Sequence, residues 1–199
     1  MLRRFTAVFV LLAAGLPATA YIHFPPMTLP KMCKESMQVR HLKVEKADAD
    51  KGVVVFAVEK HLKKGDKGAP VPPERHLFHP DPKAAKPFLD KLAVGKEAVM
   101  FSIEAGSDGR KVGCAYVFVD GDCYTADYSL DAKGWLFLRA EPQMVKCYKG
   151  TVADLLPLVA DVLAGKQVKV PTAEAKFDKD DWQKRFDEIN AFWDKYRKK

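Results

Sequence analysis

A histidine at the third position of the mature chain gives the sequence a possible metal site. Ala18-Thr19-Ala20 has the small residues behind which signal peptidase cuts, so the mature protein should begin Tyr21-Ile22-His23. The free α-amine, two backbone amides and the imidazole of His23 then make a set of four nitrogens, and square-planar nitrogen coordination suits Cu(II) or Ni(II). Residue 22 is not proline, so its amide can deprotonate. We therefore predict a copper or nickel site formed by Tyr21, Ile22 and His23, and no other cofactor.

The four cysteines are the second set of residues that could carry chemistry. Cys33, Cys114, Cys123 and Cys147 all follow the leader, and disulfides persist in exported proteins. A zinc site or a catalytic thiol is the alternative, but the sequence has no CxxC pair and no Cys-His spacing of the zinc-finger type. We therefore predict that all four take part in structural disulfides.

The turn Asp120-Gly121 limits which cysteines can pair. Asp-Gly between two apolar runs is typical of a two-residue hairpin turn, which places Phe118 opposite Cys123 and Cys114 opposite Asp127. Cys114 and Cys123 would then be about 13 Å apart along the sheet, whereas a disulfide needs Cα atoms within about 7 Å. Two connectivities remain open, which are Cys33–Cys114 with Cys123–Cys147 and Cys33–Cys123 with Cys114–Cys147.

The remaining residues give little indication of enzymatic activity. His76 and His79 are three positions apart in a proline-flanked segment without the glutamate of zinc proteases, which leaves only a loop metal site as an alternative. The sequence has no GxSxG elbow, no P-loop and no GxGxxG. We therefore predict a protein without enzymatic activity, and a hydrolase with scattered catalytic residues stays an alternative.

The N-terminal segment predicts export to the periplasm or the exterior. Arg3 and Arg4 precede an apolar stretch from Phe5 to Leu16, a pattern typical of a secretory leader cleaved after Ala20. Loss of the leader would lower the net charge from +7 to +5, because it contains two arginines and no acidic residue. We expect no transmembrane span in the mature chain and no nucleic-acid partner.

Runs of β-branched and aromatic residues predict five or six short antiparallel strands. The first two should form a hairpin or meander with a bulge near Arg40 and His41, where the alternation of apolar residues breaks. Residues 64–87 carry six prolines and predict a long loop. The predicted strands are Met37–Lys46, Val53–Leu62, Glu97–Ile103, the two halves of Val112–Tyr128, and Trp135–Arg139.

Helices are predicted mainly in the last third of the chain. Thr151 and Asp154 form a capping box for an amphipathic helix that ends at Gly165, and Pro157 should distort it. A short helix is expected over Pro87–Leu92. The prolines of Tyr21–Lys31 predict an extended arm.

The last helix has an aromatic seam with the spacing of a coiled coil. Its members recur every four and three residues, which places them on one face. We predict that this seam binds a protein or cell-envelope partner, with docking on the protein's own domain as the alternative. The seam consists of Trp182, Phe186, Ile189, Trp193 and Tyr196.

These elements predict a mainly β (α+β) protein with a small antiparallel OB-like barrel or open sheet, a packed helix and a C-terminal amphipathic helix. We divide the chain into a signal peptide (1–20), a proline-rich arm (21–32), a β-rich core domain (33–171) and a charged linker with the C-terminal helix (172–199). A chain of 199 residues is long enough for one domain with a core and an accessory element.

Residues 33–165 resemble the OB-fold modules of the netrin and tissue-inhibitor-of-metalloproteinase type. The resemblance lies in Cys33 ahead of the first strand, Val53–Val58 followed by Leu62–Gly65, and Gly95-Lys96 before the next strand. It implies a secreted OB-like fold. Metalloproteinase inhibitors begin their mature chain with the zinc-chelating cysteine, whereas Tyr21–Met32 precede Cys33 here. The resemblance therefore implies the fold and not that activity.

The function expected from the sequence is that of a secreted or periplasmic binding module. Two recognition elements support it, the proline-rich loop 64–87 and the aromatic seam of the last helix. A copper-binding protein that uses Tyr21-Ile22-His23 is the alternative.

Overall fold

The computed structural model describes residues 27–51, 53–65, 77–78, 89–103, 112–129 and 134–175, together with residues 183, 184 and 187. The described residues form seven strands: β1 (Gln38–Asp48), β2 (Val53–Lys63), β3 (Leu77–Phe78), β4 (Glu97–Ile103), β5 (Val112–Val119), β6 (Asp122–Ser129) and β7 (Gly134–Ala140). The helical elements are α1 (Leu29–Glu35), a 3-10 helix (Pro142–Lys146) and α2 (Val152–Leu163).

The strands close into a barrel in the order β1-β2-β3-β7-β6-β5-β4, because β4 also pairs with β1. Every pair of neighbours is antiparallel except β3 and β7, which are parallel over two residues. The predicted mainly β, OB-like barrel with a packed helix is therefore confirmed. The strand count is higher than predicted because β3 lies inside the segment that the sequence assigned to a loop.

The β1–β2 hairpin is bent by three irregularities in its register. They fall between Val39 and Arg40, between His41 and Leu42, and between Val44 and Lys46. The first two lie where the sequence predicts a bulge, but the extra residues, Leu62 and Glu59, are on β2, so β1 keeps its alternation there. Such bulges bend a strand and increase its twist, which lets two eleven-residue strands follow the curve of a small barrel.

The β5–β6 hairpin has the register that the sequence predicts. Val119 pairs with Asp122, Phe118 with Cys123 and Cys114 with Asp127. Gly121 has a φ of +78°, a left-handed conformation that is accessible to glycine at little cost. The local turn therefore sets the register of the whole hairpin.

Two apolar layers stabilise the fold. The barrel interior is filled by a cluster of buried residues, which comprises Leu42, Val44, Val54, Phe56, Leu89, Leu92, Ala98, Met100, Ala115, Val117, Val119 and Tyr124. A second cluster lies between the outer face of the sheet and the helices, and it comprises Leu29, Met32, Cys33, Val39, Val99, Phe101, Phe118, Cys123, Met144, Cys147, Tyr148, Val152, Leu155 and Val159. We call this second cluster the outer layer.

Helix α1 begins inside the segment Tyr21–Lys31, which the sequence predicts as an extended arm. The helix begins at Leu29, and Thr28 caps it by accepting a hydrogen bond from the backbone N–H of Lys31 at 3.3 Å. Pro30 lies in the first turn, where a backbone N–H has no partner within the helix and proline is tolerated. The arm prediction is therefore wrong for residues 29–31.

Helix α2 confirms the predicted N-cap at Thr151 and the predicted end before Gly165. Thr151 accepts a hydrogen bond from the backbone N–H of Asp154 at 3.2 Å, and its hydroxyl also bonds the Asp154 carboxylate at 2.7 Å. The helix continues through Pro157 to Leu163. Of the short helix predicted over 87–92, the described part is a turn closed by Leu92 N–H and Leu89 C=O at 3.0 Å.

Several predicted features lie outside the described residues. They are the leader, Tyr21, Ile22 and His23, the two histidines of the long loop, and the aromatic seam. Within the part of the chain that the structure describes, no helix is long and apolar enough to cross a membrane.

Candidate functional site

A cluster of buried polar side chains lies at one end of the barrel. This end, which we call the barrel mouth, is where β1 and β5 begin and where β2 and β4 end. Gln38 pairs with Ser102 across the first position of β1, and Arg40 pairs with Met100 two positions further in. Arg40 alternates along β1 with Leu42, which fills the barrel interior, so its side chain points inward. Gln38, Arg40 and Ser102 form the polar cluster.

Arg40 is the most deeply buried charged side chain of the described residues. It is 0% exposed, and its Nη2 donates a hydrogen bond to Oε1 of Gln38. Arginine is almost never fully buried unless it is paired, because the transfer of a charge out of water costs several kcal/mol. The hydrogen bond to Gln38 positions the guanidinium group near the barrel mouth.

Ser102 places a hydroxyl group beside this pair. It is 1% exposed, and its Oγ has no hydrogen-bond partner among the described residues. An unpartnered buried hydroxyl costs about 1–3 kcal/mol relative to a bonded one. The hydroxyl is therefore available to a group that enters the polar cluster.

Gly65, just after β2, lies close to the side-chain amide of Gln38. A Cβ atom at this position would lie 2.7 Å from Nε2 and 2.8 Å from Cγ of Gln38. Real Cβ atoms essentially never approach other atoms so closely, so any side chain at position 65 would displace Gln38. The absence of a side chain at position 65 therefore leaves room for the Gln38 amide to contact Arg40.

Lys63 adds a second positive charge near the barrel mouth. Its Nζ donates hydrogen bonds to the carbonyl groups of Cys33 and Lys34 at 3.0 Å and of Ser36 at 2.5 Å. These carbonyls are at the C-terminal end of α1, where the helix dipole favours a cation. Lys63 thus ties the end of β2 to α1.

His41 lies on the opposite side of β1 from the polar cluster. Its Nε2 is 3.4 Å from Oε1 of Glu97, on the neighbouring strand β4. The alternation of side chains along β1 places it on the outer face of the barrel, so it takes no part in the polar cluster.

The donor groups of the polar cluster are of the kind that bind an anionic oxygen group. A guanidinium presents a planar fork of N–H donors that matches a carboxylate or a phosphate, and a hydroxyl can donate a further hydrogen bond. Ligand sites are frequent in the mouths of β-barrels, where a few polar groups are placed on an apolar lining. The geometry therefore favours recognition of an anion.

The cysteines lie away from this site. Cys33, Cys123 and Cys147 are buried in the outer layer, and all four cysteines are thiols in the structure. The register that separates Cys114 from Cys123 is confirmed, whereas the predicted disulfides stay a prediction.

Burial is the main cause of the raised pKa values of these thiols. It raises the pKa of Cys33 to about 11 and the pKa of Cys147 to about 12. The pKa of Cys123 is also raised well above its ordinary value, first by burial. In the described part of the chain, no group of three histidine, cysteine or acidic side chains has a geometry that could hold a metal ion.

Sequence reasoning missed the polar cluster. Arg40 drew attention only as the place where the alternation of β1 breaks, and Gln38 and Ser102 gave no signal. The available signal was an arginine at an inward position of a strand, alternating with Leu42 and Val44. Val39 is also buried, on the opposite side of β1, so the pairing of β1 with β4 was needed to show which side faces the interior.

No protein-family model matches this chain, and comparisons with curated proteins and with solved structures give no match either.

Proposed function

We propose that the protein is a secreted or periplasmic, non-enzymatic binding module whose ligand presents a carboxylate or a phosphate to the polar cluster at the barrel mouth. The observation that carries the proposal is the complete burial of Arg40 beside a serine hydroxyl without a hydrogen-bond partner in the described part of the chain. The fold supports it as well, because OB-like barrels serve as binding modules for many classes of ligand.

The composition of the barrel interior argues for a functional role of Arg40. Arg40 lies on the same side of β1 as Leu42, two positions before it, next to the apolar cluster of the barrel interior. An apolar residue of similar length would fill the same volume without the desolvation cost of a charge. Departures from the rules of core packing are expected mainly at functional sites.

Charge and geometry select the ligand class. Arg40 is a cation near the barrel mouth, so an anion gains from its charge. The three donors of Lys63 are already taken by carbonyls at the end of α1. A guanidinium already aligned by Gln38 loses little freedom when it binds a planar carboxylate or a phosphate, and this lowers the cost of association. A cationic ligand would be repelled.

The experiment is a thermal-unfolding series of the mature protein in acetate, succinate, phosphate and sulfate, with chloride at equal ionic strength as the reference. A ligand at a hundred times its Kd stabilises a protein by about 2.7 kcal/mol, which corresponds to a rise in Tm of roughly 5–10 °C. Arg40→Gln should abolish this rise, and Ser102→Ala should reduce it.

Lys43→Gln is the matched control, because Lys43 is an exposed cation on the same strand. It should respond to anions as the unaltered protein does. The proposal is wrong if no anion stabilises the protein beyond chloride, or if Arg40→Gln folds and keeps the full response. If Arg40→Gln does not fold, Ser102→Ala and the response of the unaltered protein decide.

A further inference from the structure

Gln38 is the outermost member of the polar cluster at the barrel mouth. It occupies the first position of β1 and is 7% exposed, whereas Arg40 is 0% exposed and Ser102 is 1% exposed. Arg40 lies two positions further into the barrel on the same side of β1. A ligand group that approaches the polar cluster from solvent therefore meets the side chain of Gln38 before that of Arg40.

The hydrogen bond to Arg40 decides which end of the Gln38 amide is left for a ligand. A guanidinium group can only donate hydrogen bonds, so the amide must face it with its acceptor, Oε1. The other end of the amide is Nε2, which carries two N–H donors. Among the described residues, the side chain of Gln38 bonds only Arg40, so the donors of Nε2 are left for a ligand.

The two neighbours of the Gln38 amide leave this end open to an acceptor. A Cβ atom at position 65 would lie 2.7 Å from Nε2, but Gly65 has none, so no side chain of residue 65 covers the donor. Ser102 is the direct partner of Gln38 across β1 and β4, which places both side chains on one face of the sheet. The Nε2 group and the unpartnered Ser102 hydroxyl described above are therefore donors at neighbouring positions.

Arg40 strengthens the donor that Gln38 offers. Its guanidinium bonds Oε1 and draws electron density towards that end of the amide. Hydrogen bonds in a chain polarise one another, so the N–H groups of Nε2 become better donors. The charge of the buried Arg40 thus acts on a ligand through the Gln38 amide.

We propose that Gln38 contacts the ligand and determines its specificity, because Nε2 donates a hydrogen bond to an anionic oxygen while Oε1 holds Arg40. This inference rests on the proposed function, and it adds a ligand contact to the role of Gln38 in positioning Arg40. Since Nε2 can only donate, the contacted atom must be an acceptor. The site therefore selects a deprotonated carboxylate or phosphate oxygen over a group that can only donate, such as an ammonium.

Nuclear magnetic resonance of the mature full-length protein tests the contact at the atom itself. The chain has four glutamines and one asparagine, so five side-chain amide groups contribute to the spectrum. The Nε2 protons of Gln38, assigned through bonds from its backbone, should move downfield and saturate on titration with whichever of acetate, succinate, phosphate and sulfate raises the Tm most. Chloride at equal ionic strength is the reference. The Nε2 protons of Gln143, which bond Glu141 at 3.1 Å, are the internal control and should not follow the titration.

A pair of matched variants gives a second readout. Gln38→Glu keeps an oxygen for Arg40 and replaces the Nε2 donor by a second oxygen, so the apparent Kd for the anion should rise at least about tenfold. Gln143→Glu adds the same charge at an exposed position and should leave the Kd unchanged.

The outcomes distinguish this inference from the proposed function. If no anion raises the Tm beyond chloride, the proposed function is wrong and the role of Gln38 falls with it. If an anion raises the Tm but the Gln38 protons shift no more than those of Gln143, Gln38 does not contact the ligand, although the anion site stands. A Gln38→Glu protein that folds and keeps the Kd of the unaltered protein leads to the same conclusion.

Discussion

The carboxylate of Asp120, in the β5–β6 turn, accepts a hydrogen bond from the backbone N–H of Val152, the first residue of α2, at 3.2 Å. The same carboxylate is 3.2 Å from Nζ of Lys96. The turn is held against the segment before α2 by a second bond, from Gly121 N–H to the carbonyl of Gly150 at 2.9 Å. A turn residue thus caps a helix that begins thirty-two positions later in the chain, which couples the hairpin to the outer layer.

Asp120→Ala should lower stability by about 1–2 kcal/mol, the usual cost of a lost helix cap. The pKa of Asp120 is lowered, first by the Val152 N–H and then, against burial, by Lys96. Its contribution is therefore present above the unfolded pKa near about 4 and is lost as the pH falls through the folded value. Denaturant unfolding at pH 7 and pH 2.5 checks this expectation.

The control for this prediction is Asp50→Ala, which removes an exposed carboxylate in the turn between β1 and β2. Its pH profile should follow that of the unaltered protein. An equal loss of stability in Asp120→Ala at both pH values would contradict the assigned role of the carboxylate.

Lys63→Met should destabilise the protein by about 1–3 kcal/mol. The substitution keeps the aliphatic stem and removes the three donors that satisfy carbonyls at the end of α1. Lys64→Met, at the exposed next position, should change stability by less than about 0.5 kcal/mol. Urea unfolding of both variants measures the difference, and equal midpoints would show that the Lys63 contacts do not stabilise the fold.

Gly65→Ala should disturb the polar cluster, although residue 65 is not a member of it. The new Cβ would meet the Gln38 side chain, so Gln38 must move away from Arg40. We expect a loss of about 1–3 kcal/mol, typical of overpacking, together with loss of the anion response. Anion-dependent Tm shifts measure both effects, and Lys64→Ala is the control. If the variant loses stability and keeps the anion response, the prediction that Gly65 supports anion binding at the polar cluster is wrong.

The N-terminal motif gives a spectroscopic prediction. Mature protein that begins at Tyr21 should develop a visible d–d absorption band on titration with one equivalent of Cu(II). His23→Ala should remove the band, and His61→Ala, which changes an exposed histidine of β2, should keep it. A band that persists in His23→Ala would rule out the predicted ligand set.

The aromatic seam remains the predicted partner surface of the last helix. Gln183, Lys184 and Asp187 are helical and exposed, and Gln183 Nε2 donates to Asp187 Oδ1 at 3.0 Å. A photo-crosslinking side chain at position 193 should therefore give an adduct with a protein or lipid of the cell envelope, and one at position 184 should not. Equal labelling at both positions would contradict a seam-specific contact.

The elements that the sequence predicted correctly are those that depend on neighbours along the chain. Asp120-Gly121 determines the β5–β6 register because a two-residue turn permits few geometries. Thr151 and Gly165 mark the ends of α2 because helix caps act within one turn.

Tertiary structure alone decided the features that join distant segments. The parallel pairing of β3 with β7 brings Leu77 beside Trp135, and two residues are too short to give a strand signal. The polar cluster exists because β4 returns to β1 and sets Ser102 opposite Gln38. The sequence by itself determined several strands, one capped helix and a hairpin register. Closure of the barrel decided that Arg40 points inward, because only the pairing of β1 with β4 makes one side of β1 an interior.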